Sequence, residues 1–322
     1  MDKYSIFYRQ QVSEDDLKQS SYELFISAFT LAQRTRHVYN IVPAASKLWV
    51  IFPHFGFDRI ERPPEKSCEV QSIDEQDFVN DLLEYLPSDL SSIRICVDVT
   101  GFIRPHLMFL VKWLAQQGVR QFDAIYAEPQ RYVSRESTEF SSEVIEEVRQ
   151  VAGFEGDHTP DTSNDFLFIG VGYQDHLISQ VAQNKARARK IQLFGFPPLR
   201  ADMYQENVLK VHGARESLDN GRVNDHFCSI FAPAADPFYT ASALSQKVKD
   251  IEKAKPITNL YLCPLATKAQ VLGFAIFYLT ECIGRSASII FPFESQYSKS
   301  TSVSNERVWK YTIELPNLGN GS

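Results

Sequence analysis

The chain has 322 residues, 44% of them apolar and 23% charged, with a formal net charge of −7. This composition argues against disorder and against the basic excess of a nucleic-acid coat, so nucleic acid is not expected as a direct partner. Its five cysteines (Cys68, Cys96, Cys228, Cys263, Cys282) are widely spaced and form no C-x-x-C, which excludes a zinc ribbon or a thioredoxin motif.

The opening MDKYSIFYRQQVSEDD has no apolar signal core, and the most apolar helix, around Val271–Leu279, is too short to span a bilayer. With free thiols in place of a disulfide framework, the expectation is a cytoplasmic protein with no membrane partner. Glu23–Phe29 reads as a first strand, Leu31–Ile41 as a helix and Lys47–Pro53 as a second strand. A loop with paired prolines follows, and then a helix over Ile73–Tyr85 in which Ser72 and Glu75 form a capping-box-like start. Ile93–Tyr126 reads as strand, long helix and strand. Beyond it, Glu128–Asn164 is irregular, with a short helix over Ser142–Val151.

Phe166–Val171 and Lys190–Phe196 read as strands around a helix over His176–Ala188. Lys185, Arg187, Arg189 and Lys190 sit where that helix ends and complement its dipole. Pro197–His226 is polar and ambiguous. Ser229–Pro233 is a short strand, Thr240–Lys255 a helix, and Asn259–Phe293 a second strand–helix–strand unit. Arg307–Leu315 alternates and closes an antiparallel edge, and the tail PNLGNGS is expected to be disordered.

Ile93–Tyr126 and Asn259–Phe293 are versions of one another, each an apolar strand, a helix ended by glycine (Gly118, Gly284) and a second apolar run. Alternation along the whole chain predicts an α/β fold with a mainly parallel, doubly wound, Rossmann-like sheet of roughly seven to nine strands and an antiparallel C-terminal edge strand. The polar stretch after Phe196 is the best boundary, dividing residues 1–196 from 197–322 unless the two halves are continuous.

Ligands of such sheets lie beyond the carboxyl ends of the strands. Asp98, Thr100, Arg104 and His106 gather at one such end. A carboxylate there can accept from a ribose, and Thr and Arg at a helix start can hold phosphate, or Asp98 and Thr100 serve only as caps. The equivalent end in the later unit holds Thr267 as a helix cap and Lys268 in the first turn, where a cation is unfavourable unless an anionic ligand is near. Glu128 with Tyr132 and Glu294 with Tyr297 follow apolar strands in the same way, as cleft-closing groups or as repeated turns. Gly170 and Gly172 begin a dinucleotide fingerprint, but Asp175 stands in place of its third glycine. Arg34, Arg36 and His37 fit a solvated helix face better than an anion site. No phosphate loop, nucleophile elbow or HExxH is present, the histidines show no metal-ligand spacing, and no cofactor is expected.

The two Rossmann-like halves, with the Pro264-Leu265-Ala266-Thr267-Lys268 element in the later one, resemble the CARF-type ligand-binding proteins of prokaryotic defence systems. Glu23–Asp58 resembles the start of Rossmann-like proteins encoded beside such systems. The resemblance implies recognition of a nucleotide-like signal, with Thr267 and Lys268 in the matching position. The expected function is therefore a non-catalytic subunit that binds a nucleotide-like small molecule through Asp98, Thr100, Arg104, Thr267 and Lys268, with Glu128 and Tyr132 closing the cleft. No effector segment is read after Leu315, so the subunit is expected to work with other protein subunits, contacting them through residues 128–164 or 197–225. The alternative is a nucleotide-cleaving hydrolase, N-glycosidic or phosphoester, with Asp98 or Glu128 as general base.

Overall fold

The computed structural model describes residues 4, 8–132, 145–218, 228–294, 297 and 302–318, with the side chains of 130–132, 145–146 and 302–306 left aside. In chain order the elements are β1 (Tyr8–Val12), α1 (Glu14–Gln19), β2 (Tyr22–Ala28), α2 (Gln33–Ile41), β3 (Ala44–Ile51), β4 (Ser67–Glu69), α3 (Glu75–Leu83), β5 (Ile95–Asp98), α4 (Arg104–Gln116) and β6 (Gln121–Tyr132). They continue as β7 (Ile145–Gln150), β8 (Phe166–Gly170), α5 (Asp175–Asn184), β9 (Arg189–Gly195), α6 (Met203–Gly213), α7 (Arg215–Leu218) and β10 (Ser229–Ala232). The last are α8 (Pro237–Glu252), β11 (Leu260–Pro264), α9 (Lys268–Phe277), β12 (Ala287–Glu294) and β13 (Ser302–Glu314).

The fold is α/β, mainly parallel and Rossmann-like, but the strands divide into a seven-stranded and a six-stranded sheet where a single sheet was expected. The compact units are Phe7–Ile145 with Glu294–Ser322, here the first unit, and Met1–Ile6 with Glu146–Phe293, the second. The division therefore does not fall at residue 196. Polar residues 197–225 lie inside the second unit, where α6 and α7 account for much of them. Polarity marked a solvated helical surface, not a linker.

The first sheet runs β1-β13-β6-β5-β2-β3-β4 and the second β10-β9-β8-β11-β12-β7. In each, the chain moves outward through three parallel strands (β2, β3, β4; β8, β9, β10), then returns to the other side of its first strand for two more (β5, β6; β11, β12). The likeness between the two strand–helix–strand segments thus has a structural basis, because both are the fourth and fifth strands of one repeated order. Their helices are largely buried: every residue of α9 from Ala269 to Phe277 is inside, so Phe274, Phe277 and Tyr278 belong to the core.

Strand β13 is antiparallel to β6, as its alternation predicts, and β1, which the sequence reading passed over, pairs antiparallel outside it. One expected helix is a strand. Val144, Ile145, Val148 and Val151 carry helical spacing, yet β7 occupies Ile145–Gln150 beside β12, and the Val151 amide donates to the Ile289 carbonyl at 2.8 Å. An open sheet edge took residues that are β-branched as well as suitably spaced. Residues 142–144 of the expected helix and the last four of the tail lie outside the described residues. The expected capping box of α3 is not formed. Asp74 is the N-cap without a side-chain cap, the Ser72 hydroxyl accepts from the Asp74 amide at 3.1 Å, and Glu75 is fully buried.

Helix α5 ends at Asn184, before the four basic residues; Lys190 lies on β9, is buried and donates to the Ala186 carbonyl in the turn after the helix at 2.8 Å. Four of the five free thiols are buried. Among the described residues no helix is long and apolar enough to cross a membrane.

Candidate functional site

In each sheet the direction of winding reverses between two neighbouring strands, β2 and β5 in the first unit, β8 and β11 in the second. Beyond the carboxyl ends of such a pair the two following loops diverge and leave the crevice where open α/β sheets take ligands. In the first unit that position is polar and internal. Asp98, the last residue of β5, is fully buried. One carboxylate oxygen accepts from the Ser27 hydroxyl on β2 at 2.9 Å, the other from the Thr100 amide at 3.0 Å. Burial pushes the Asp98 carboxyl up from 3.8 to about 6, against those hydrogen bonds and the Arg34 charge, which pull it down.

Arg34 is the group sequence reasoning misjudged. It lies in the first turn of α2 and is only 8% exposed, not on a solvated face. Its Nη1 donates to the Ala127 carbonyl in the middle of β6 at 2.6 Å, while its Nε meets no acceptor. The hydroxyl of Thr100 accepts from the Ala127 amide at 3.0 Å, so the Asp98–Thr100 turn and the middle of β6 are tied together at the residue whose carbonyl the guanidinium reaches. Thr30 and Thr35, both buried, join the loop after β2 to α2 through hydroxyls 2.9 Å apart. The clue lay in register: Arg34 is one residue before the buried series Thr35, Val38, Tyr39, on the same side of the helix. Arg36 does face solvent, and His37 reaches Glu14 at 2.8 Å.

Gly101 fixes how closely the loop after β5 approaches β2. A Cβ at that position would stand 2.3 Å from the Ala28 carbonyl oxygen, a backbone atom that cannot move aside. Gly101→Ala is expected to destabilise the chain by about 2 kcal/mol, the scale of overpacking, measured as a fall in urea midpoint at unchanged slope. A shift below a few tenths of a kcal/mol would show the loop to be pliable.

The remaining expected residues divide. Arg104 opens α4, but its charge is felt at Tyr297, whose phenol burial and the Glu294 carboxylate push up while Arg104 opposes them. The cation beside Asp98 is Arg34, from another helix. His106 packs against His54 and Phe52, with ring centroids at 5.2 and 4.8 Å, in a cluster of imidazoles and phenylalanines, and does not join Asp98. Glu128 is buried and accepts from Arg307 Nε at 2.8 Å and Trp309 Nε1 at 2.7 Å, both on β13. That clamp holds an antiparallel strand pair. Tyr132 ends β6 opposite Ser302, and its side chain lies outside the described residues.

Thr267 and Lys268 belong to the second unit and are described within it. Thr267 caps α9, accepting from the Gln270 amide at 3.3 Å, and donates to the Ala234 carbonyl at 2.5 Å. Lys268 follows as the first residue of the helix, half-buried. Gly172 sits at the winding reversal, where an added Cβ would be 2.2 Å from the Leu265 carbonyl oxygen. Each unit thus has a glycine where the backbone beyond one reversal strand comes closest to the other, after β5 in the first and after β8 in the second. Asp175 opens α5 and pairs with Lys210 at 3.4 Å.

One serine–histidine contact invites comparison with a hydrolase. His158 Nε2 and Ser288 Oγ share a hydrogen bond of 2.9 Å, and Asn259 is 3.3 Å from His158 Nδ1. Ser288 and Asn259 are fully buried at the amino ends of β12 and β11. Asn259 also donates to the carbonyls of Thr159 and Asp161 and to Asp165, so this network fastens the connections entering the sheet. Among the described residues no three His, Cys, Asp or Glu side chains are placed to hold a metal ion. No protein-family model, curated protein or solved structure matches the chain.

Proposed function

We propose that this chain is a non-catalytic binding subunit for a nucleotide-like anionic small molecule, taken up where the winding of its sheets reverses. The observation that carries the reading is the polar set at the β2–β5 reversal: Arg34, Asp98 and Thr100, with Thr30 and Thr35, all buried at the carboxyl ends of parallel strands. Burying a guanidinium and a carboxylate there is costly, and such groups concentrate where proteins bind or react. Thr267 and Lys268 at the equivalent end of the second unit support the same chemistry, since a lysine in a first helical turn favours an anion nearby. The resemblance to CARF-type proteins adds a role among other protein subunits, in antiviral defence.

The enzyme reading draws on Asp98, whose pKa near 6 suits a general base. Binding is favoured over it because both Asp98 oxygens are already engaged and the side chain is fully buried, while Glu128 is clamped by Arg307 and Trp309.

Native mass spectrometry of the purified chain, followed by thermal shift against nucleotides, tests the reading. A retained nucleotide or a shift with one class of nucleotide is the expected result. A clean protein that no nucleotide stabilises would overturn it, and product formation lost in Asp98→Asn would replace it with the hydrolase.

A further inference from the structure

The binding reading leaves open which atoms take the ligand's negative charge. We infer that the first turn of α2 and the Arg34 guanidinium form a seat for a phosphoryl group, with the Asp98 carboxylate as the resident counter-charge against which the incoming anion competes. The inference rests on the proposed binding at this strand end and assigns the ligand's phosphate to it.

Two independent features converge on the seat. The first is an uncapped helix start. Helix α2 follows β2, the inner strand of the order, and its N-cap position is Ala32, which offers no side-chain acceptor to the first-turn amides. No acidic residue stands in that turn either. Four amide groups at any helix start lack intrahelical acceptors and carry the positive end of the helix dipole. The starts of α1, α8 and α9 are served by side chains, since Ser13, Asp236 and Thr267 each accept from the turn they cap. Helices α3, α4, α5 and α6 share the uncapped start of α2; the buried Arg34 is what sets the α2 turn apart.

The second feature is Arg34 itself. A guanidinium that is 8% exposed has surrendered most of its water, and its Nε N–H has no acceptor in return. Leaving a buried donor unmet is unfavourable unless something accepts from it in the working state. Asp98 is close enough for its carboxyl to feel the Arg34 charge, and that carboxylate is turned to Ser27 and Thr100, with no hydrogen bond to the guanidinium among the described residues. Arg34 is therefore held in place through its bond to Ala127 while its Nε remains available. A guanidinium N–H together with main-chain amides of a first turn is the donor set that a tetrahedral dianion satisfies and that a neutral ligand does not. The Thr30–Thr35 hydroxyl pair and the Thr35 bond to the Ala32 carbonyl at 2.8 Å keep this turn fixed before any ligand arrives.

The test follows the Arg34 Nε–Hε resonance in protein labelled with ¹⁵N-arginine, assigned by its loss in Arg34→Lys. The probes are inorganic phosphate, a nucleoside monophosphate and the matching nucleoside. Phosphate at about 10 mM, enough to load a site of Kd near 1 mM, should move the resonance. The monophosphate should move it at lower concentration, and the nucleoside should not. Arg34→Gln should weaken phosphate binding about tenfold or more, and Asp98→Asn should tighten it by removing a like charge. Ala32→Asp supplies its own carboxylate to the turn and should abolish phosphate binding while keeping the helical circular dichroism.

An Arg34 resonance unmoved by phosphate and by the monophosphate overturns the seat, and the wild-type spectrum decides this even where a variant fails to fold. If nucleotides stabilise the chain but leave Arg34 unmoved, binding stands and this assignment falls. If phosphate moves Arg34 while no nucleotide stabilises the chain, the seat stands and the nucleotide reading falls.

Discussion

Asp98→Asn is expected to leave the chain about 3 kcal/mol more stable than wild type near pH 8, with the gain fading to nothing below about pH 4. The sign follows from the direction of the shift. Burial raises the folded-state pKa of Asp98 from 3.8 to about 6, so the folded chain holds this proton more tightly than the unfolded chain does. Its contribution to stability is complete below pH 3.8 and is lost as pH rises through 6. A shift of about two units, at about 1.4 kcal/mol per unit, gives the magnitude. Asparagine keeps the local bonds, because its carbonyl accepts from Thr100 and its amide faces the Ser27 hydroxyl, which can turn to accept. Urea unfolding of both proteins across pH, read at constant slope, measures the difference. An asparagine variant less stable than wild type at pH 8 would show that Ser27, Thr100 and Arg34 outweigh the desolvation of the carboxylate. The expected gain has a functional meaning: a charge retained at the expense of stability is the usual mark of a site selected for something else.

The parts of this site that sequence could disclose are those governed by local pattern. Asp98 and Thr100 were legible because an apolar strand ends on them and a helix begins shortly after, which places them beyond a carboxyl end whatever the sheet order. Thr267 was legible for the same reason, as a cap before an apolar run. Arg34 was legible only in part: its register with Thr35, Val38 and Tyr39 puts it on the buried side of α2, but its partner, the Ala127 carbonyl on β6, is a long-range contact with no trace near residue 34. Glu128 was expected just past a strand that ends at Tyr126, but β6 runs on to Tyr132 and Glu128 lies within it, where Arg307 and Trp309 from a strand far along the chain turn a candidate base into a clamp. The two-sheet division escaped for a related reason. Strand–helix alternation is identical whether the strands join one sheet or two, and it is the pairing of β13 with β6 and β1 that brings the C-terminal segment back to the first unit. Residues 145–150 failed differently, since their apolar spacing satisfied a helix and the pairing with β12 outweighed it.

His54→Phe should produce the opposite pH profile from Asp98→Asn. His54 follows β3, is 5% exposed, and sits among Phe52, His106 and Tyr297, with its Nδ1 meeting no acceptor. Burial pushes its imidazole down from 6.5 to about 4, and the buried Glu75 carboxylate only partly opposes this. The folded chain therefore holds this proton less tightly than the unfolded chain. Stability from the neutral ring is complete above pH 6.5 and is lost as pH falls toward 4, by about 3 kcal/mol in all. Phenylalanine fills a similar volume and has no proton to take up, while the main-chain carbonyl at position 54 still accepts from the Tyr297 amide. At pH 8 the variant should match wild type within about 1 kcal/mol, the usual range of a volume-conserving swap. At pH 4.5 it should be the more stable of the two. Over this same window Asp98 gains what His54 loses, so the two contributions offset each other in wild type. Removing Asp98 should expose a steep acid loss, removing His54 should expose an acid gain, and removing both should restore a flat profile. Parallel pH curves for wild type and both single variants would show that neither group is desolvated as this packing requires.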